Sequence, residues 1–352
     1  MSRFRRVSLG GGAGYVPGEQ PRPDGDWVKL NTNEAPLPPS PRVASAVRDA
    51  AEGLRLYPDP HGEPLRSALA RHHGVAPEEI FVANGGDQVI DCCYRAFAEP
   101  GNIVLHPSPT YTLFPVLARV FSARDLSMPL QPDGSLHPGY AAVPAALRFV
   151  VNPNSPTGQW IPPDRLERQL EDAGGVIVID EAYCDFAPES CVSKVASHDS
   201  WIVLRSFSKA HALAGLRVGY AVAQRELIAD LYAVQDSYAV DRCALAGALA
   251  ALEDVGYHRR VVATVLEQRA RLADALSALG WDVLPSEANF VFARPPDGRG
   301  AKDVARTLRE QRILVRHIDA PHVDDRLRIT VGDATSLDRL LRAVQHLSMV
   351  TG

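Results

Sequence analysis

Residues 201–223 read WIVLRSFSKAHALAGLRVGYAVA: an apolar run, a loop of small and charged residues, and a second apolar run. Such runs, with no polar alternation, suit strands covered on both faces, so the stretch predicts strand, loop, strand inside a layered α/β fold. The loop is the unusual part. Ser206, Ser208, Lys209 and Arg217 put two hydroxyls and two cations beside a buried strand, where no ordinary core needs them.

The same texture recurs on the N-terminal side. IFVA (80–83), NIVLH (102–106), LRFVV (147–151) and GVIVID (175–180) read as buried strands, alternating with helical stretches at 41–53, 64–73 and 86–97. This predicts a mainly parallel sheet sandwiched by helices. After Gln224 the pattern turns helical through residue 280. Shorter units follow: NFVFAR (289–294), a helix over 302–311, RILVRHI (312–318), LRITVG (327–332) and a helix over 336–347. They predict a smaller α+β domain. The first forty residues, rich in Gly, Pro and Asn, predict an extended arm, not a packed element. The expected division is an arm over 1–40, a large domain over 41–245 and a small C-terminal domain over 246–352.

With 37 basic against 42 acidic residues the net charge is −5, too mild to recommend nucleic acid or an anionic membrane as partner. No apolar stretch approaches the roughly 20 residues of a membrane span, and the start lacks the apolar core of a secretory signal, so a cytoplasmic location is expected. Five cysteines form neither a disulfide framework nor a CxxC pair and read as reduced thiols. The eleven histidines include no HExxH, His72 and His73 read as a solvated helix end, and no metal site is expected. GGGAG at 10–14 imitates part of a dinucleotide fingerprint, but no strand precedes it.

Several motifs stand where chemistry belongs in such a sheet, beyond the carboxyl ends of strands. Asp180 ends GVIVID, with Tyr183 three residues on; the acid either holds a cationic ring nitrogen or caps the next helix. Lys209 is either surface charge or the amine of a Schiff base, with Ser206, Ser208 and Arg217 available to a phosphate. NGGDQVID (84–91) sets Gly85, Gly86 and Asp87 at a helix N-terminus suited to an anion. VNPNSPTGQ (151–159) is a turn carrying Asn154 and Ser155, and Tyr111 in PTYTLF either stacks on a flat ring or packs. A lysine, an acid for a ring nitrogen and a phosphate cup together name pyridoxal 5'-phosphate.

With those motifs in order, and with YVPG, VKLNTNEAPLPPSP, YPDP, SEANFVF, ILVR and LRITVG, the chain resembles the fold-type I pyridoxal-phosphate aminotransferases, and among them the histidinol-phosphate aminotransferase family. The resemblance runs nearly end to end. It implies a seven-stranded-type sheet in the large domain, Lys209 as covalent anchor and proton shuttle, Asp180 at the ring nitrogen, Tyr183 at the ring hydroxyl and Tyr111 on the ring face. It gives the cofactor phosphate to Gly85, Gly86, Asp87, Ser206, Ser208 and Arg217. Asn154 or Ser155 would meet the ring hydroxyl. Arg328, Arg316 and Tyr15 would take the substrate carboxylate or phosphate, and Tyr57 would reach into a neighbouring subunit's site, implying a homodimer. The implied reaction is amino transfer between histidinol phosphate, or a similar amino acid or amine, and 2-oxoglutarate; the alternative is a decarboxylase or other amino-acid-transforming enzyme of the same fold. Three places depart from the family pattern. Ser155 stands where Asn is common, Gly86 and Gln88 replace Ser and Glu, and DSYAVDR (236–242) keeps Tyr238 but loses the flanking Pro and Asn.

Overall fold

The apolar runs fold into one seven-stranded sheet. The computed structural model describes residues 4–9, 14–22, 25–296, 299–321 and 323–349. In chain order the strands of this sheet are β2 (Ile80–Ala83), β3 (Ile103–Ser108), β4 (Arg124–Pro129), β5 (Leu147–Val151), β6 (Val176–Asp180), β7 (Trp201–Ser206) and β8 (Gly219–Ala223). Their spatial order is β2-β8-β7-β6-β5-β3-β4, with β8 antiparallel to both neighbours and the other pairs parallel. Covering helices are α1 (Pro41–Ala51), α2 (Leu65–His73), α3 (Gly85–Phe97), α4 (Leu113–Phe121), α5 (Pro163–Gln169), α6 (Arg225–Val234) and α7 (Arg242–Glu253). Strand β6 shows why its run is unbroken. Ile177 and Ile179 join one core with Leu166 and Trp201, while Val178 joins the opposite core with Phe149 and Ile202. Each such side chain stabilises the fold by about 1.5–3 kcal/mol.

A five-stranded sheet follows, in the order β1-β11-β12-β10-β9. It comprises β1 (Val28–Leu30), β9 (Asp282–Leu284), β10 (Phe290–Arg294), β11 (Ile313–His317) and β12 (Leu327–Thr330). Helices α8 (Val255–Ala278), α9 (Ala301–Glu310) and α10 (Ala334–Met349) pack around it. The arm therefore holds a packed element, contrary to expectation: Val28 and Leu30 are buried, and β1 pairs in parallel with β11. Strand β4 is also not legible in the sequence, because its RDLSMP is almost wholly exposed at the sheet edge and carries no apolar run. The boundary expected at 245 falls inside α7, which packs on α1 and α2. His73 is no solvated end: its Nε2 lies 2.9 Å from the Tyr220 hydroxyl, and burial pushes its pKa down to about 3.

Among the described residues no helix is long and apolar enough to cross a membrane, and no three metal-ligating side chains cluster. The five cysteines are unpaired; burial pushes the Cys92 thiol up to about 12, the opposite of an activated nucleophile.

Candidate active site

Strand ends of the large sheet converge on a cavity of about 540 Å³ that the small sheet closes from the other side. Asp180, the last residue of β6, is 5% exposed and accepts a 3.0 Å hydrogen bond from the Ala182 N–H. Burial, with no cation paired to it among the described residues, pushes its carboxyl up to about 7. Ser206 ends β7, and its Oγ accepts the Ser208 N–H at 3.1 Å. Arg217 takes left-handed backbone angles (φ 54°), and its Nη1 donates to Ser208 Oγ at 3.3 Å. Its Nη2 faces Asp87 Oδ2 at 3.5 Å. Tyr111 donates to Asp87 Oδ1 at 2.9 Å, which fixes its ring, and Tyr15 meets that ring edge-on at 5.7 Å.

The first turn of α3 reaches this group by a close approach. A Cβ on Gly219 would lie 2.6 Å from Gly85 C and from Gly86 N, and one on Gly85 would lie 2.6 Å from Arg217 Nη2. Two glycines thus let a helix N-terminus, with its free N–H groups, meet the guanidinium and the serines.

From the other side, Arg316 and Arg328 face each other across β11 and β12. Arg328 donates to Ser155 Oγ at 3.0 Å and to the Asn31 carbonyl at 3.1 Å, and its Nε has no partner. Among the described residues neither arginine has a carboxylate in ion-pair reach; Arg316 donates to the Val16 carbonyl at 3.1 Å. Lys209 Nζ reaches the Thr32 carbonyl at 3.4 Å and sits 5.5 Å over the Tyr183 ring.

The profile of the family described as aminotransferase class I and II matches residues 25–344. The chain belongs to the class I and II aminotransferases. Histidinol-phosphate aminotransferase 1 of Bradyrhizobium diazoefficiens is 44% identical over 99% of this chain and 100% of its own. Histidinol-phosphate aminotransferase 2 of Thiobacillus denitrificans is 44% identical over 98% of each chain. Among solved structures, histidinol-phosphate aminotransferase from Sinorhizobium meliloti, in complex with pyridoxal 5'-phosphate, superposes with a TM-score of 0.86 at 28% identity, over 92% of this chain and 91% of that one.

In this aminotransferase the donor set fits pyridoxal phosphate. A buried carboxyl without a cation suits a protonated ring nitrogen, and the α3 N-terminus, Ser206, Ser208 and Arg217 suit a phosphate. Gly219→Ala is expected to push α3 away from Arg217, costing about 1–3 kcal/mol. Melting should show the lost stability, and dialysis against pyridoxal phosphate a weakened uptake; unchanged uptake would show that the close approach is dispensable.

One expected residue is not in place. Asn154 is turned into its own loop: it donates to the Pro109 carbonyl and Thr157 Oγ1 at 3.1 and 3.0 Å and accepts from Thr110 at 3.0 Å. Both its N–H groups and its oxygen are engaged there, and it does not line the cavity, whereas Ser155 does. Tyr57 lies outside its own chain's cavity, 77% exposed and stacked on Tyr238 at 4.5 Å. Sequence reasoning assigns no role to Asn31, Thr32 and Asn33, which touch Arg328, Lys209 and Tyr183 in turn. Their signal is NTNEAP, an Asn-rich stretch directly after the short strand VKL.

Proposed function

We propose that this aminotransferase moves an amino group between histidinol phosphate and 2-oxoglutarate, using pyridoxal 5'-phosphate. The observation that carries the substrate is the Arg316/Arg328 pair. Like charges directly opposite on neighbouring strands destabilise a sheet, and a cavity-facing pair without a carboxylate is best satisfied by a ligand anion. Arg217 and its serines form a second anion site on the large-sheet side. One site serves the cofactor phosphate and the other the substrate's, and the names of the full-length relatives support this choice.

Bound pyridoxal phosphate supplies an aldehyde for the amine and a cationic ring that accepts the electrons left when the substrate carbon loses its proton. Lys209 Nζ would hold the aldehyde until the incoming amine displaces it, and the freed Nζ would then take the proton from the substrate carbon and return it. The Asp180 carboxylate would keep the ring nitrogen protonated, the Tyr183 phenol would donate to the ring oxygen, and Tyr111 would cover the ring face. Gly85, Gly86 and Asp87 contribute backbone N–H groups to the phosphate site, and Tyr15 joins Arg316 and Arg328. Ser155, taken up by Arg328, orients that guanidinium. The chain works in the cytoplasm as a homodimer in which the exposed Tyr57 enters the neighbouring protomer's cavity, and residues 1–40 act with the small domain.

The test is the holoenzyme's absorbance on adding histidinol phosphate, then histidinol without phosphate, each followed by 2-oxoglutarate. Conversion with the phosphorylated amine and recovery with the oxo acid are expected. Arg328→Gln should raise KM for histidinol phosphate roughly 100-fold, the size expected for removing one partner of a desolvated charge pair. Equal turnover of histidinol would discard the phosphate reading.

A further inference from the structure

We propose that Asn33 is a positioning residue for Tyr183, fixing the direction in which the phenol offers its proton; this rests on the pyridoxal-phosphate reading above. Asn33 is 1% exposed and holds a left-handed backbone (φ 59°). Its N–H donates to Thr330 Oγ1 at 3.0 Å, and the Thr330 hydroxyl then donates to Asn33 Oδ1, also at 3.0 Å. That exchange fixes which end of the amide is oxygen. The remaining end, Nδ2, faces the Tyr183 hydroxyl at 3.0 Å. An amide nitrogen can only donate, so the phenol oxygen must accept. The phenol's own proton is therefore not spent on Asn33, and it is left for the cavity that Tyr183 lines. The Asn289 side chain, donating to the Asn33 carbonyl at 3.0 Å, holds the residue from the small sheet as well.

The adjoining residues give the arrangement its reach. Asn31 and Thr32 turn their carbonyls to Arg328 and Lys209. A single tripeptide thus touches the substrate arginine, the lysine and the phenol, and Asn33 is the member whose side chain acts. A purely conformational role would need no amide, since glycine takes left-handed angles at less cost.

Asn33→Gly separates the two roles: it keeps the backbone and removes the donor. The readout is the pH midpoint at which the bound cofactor's absorbance changes, measured on the holoenzyme without substrate. A phenol free to turn its proton away stabilises a negative ring oxygen less, so the midpoint should rise by about one pH unit, a tenfold change in proton affinity. The charged groups around Tyr183 in the cavity, Lys209, Asp180 and Arg328, are untouched by the change. Thr330→Val, which releases the amide's orientation, should shift the midpoint the same way, and Thr330→Ser should keep the wild-type value. Thr330→Val decides the matter if Asn33→Gly does not fold. Wild-type midpoints in both variants overturn the proposal alone. A wild-type protein that takes up no pyridoxal phosphate overturns the cofactor reading and this proposal with it.

Discussion

Lys209→Ala is expected to lower turnover at least 10³- to 10⁴-fold, the scale of a lost acid–base group compounded by a lost covalent anchor. No other lysine lines the cavity among the described residues, so no second amine can take over. Of the cations that hold the anions, Arg316 and Arg328 belong to the small sheet, and Arg217, in the same loop as Lys209, is held by Ser208 and the Ala214 carbonyl and not by the lysine, so all three stay in place. The variant should therefore still bind pyridoxal phosphate, with the absorbance of the free aldehyde. Two measurements separate lost chemistry from lost structure. Melting should change little, because Lys209 makes one long hydrogen bond, 3.4 Å to the Thr32 carbonyl. A small added amine should restore part of the rate, since the space left by the side chain opens toward the cavity. Wild-type turnover in the variant would overthrow the assignment of Lys209.

Much of this site is legible in the sequence alone. Asp180 and Ser206 end the strands VIVID and WIVLRS and Lys209 comes three residues after the second; the apolar runs VIVI and WIVL mark buried strands, and ligands lie beyond such strand ends. What escapes the sequence depends on distant partners. Asn33 means nothing without Thr330 and Asn289, which are 297 and 256 residues away along the chain. The choice between Asn154 and Ser155 is equally closed. Turn chemistry announces polar side chains in a loop, but whether an amide faces in or out depends on Pro109, Thr110 and Thr157. Strand β1 escapes because three residues carry no period, and its burial comes from β11.

Asp180→Asn is expected to move stability and activity in opposite directions. In the folded protein stripped of cofactor, burial holds this carboxyl at about 7, against an ordinary value of 3.8. The folded state therefore binds the proton more tightly than the unfolded chain. Stability is greatest below the unfolded value and falls as pH rises toward 7, because the unfolded chain gives up its proton first. A tenfold difference in proton affinity is worth about 1.4 kcal/mol, so the ionised acid costs the stripped protein on the order of 2–4 kcal/mol at pH 8. Asparagine cannot ionise, and its oxygen can still accept the Ala182 N–H. The stripped variant should melt several degrees above wild type at pH 8, with the gap closing toward pH 4. With pyridoxal phosphate bound, the ring nitrogen's charge would supply the missing partner, and the variant would lose the carboxylate proposed to keep that nitrogen protonated. Turnover should then fall roughly 10²- to 10³-fold, the usual cost of removing a preorganised electrostatic contact. Equal melting of the two stripped proteins at pH 8 would mean that the acid already has a counter-charge, and an undiminished rate would mean that it only caps the strand. The opposed outcome would have one physical source: a carboxylate that the fold buries without an ion-pair partner is unfavourable alone, and the proposed contact with the cofactor's ring nitrogen would make it effective.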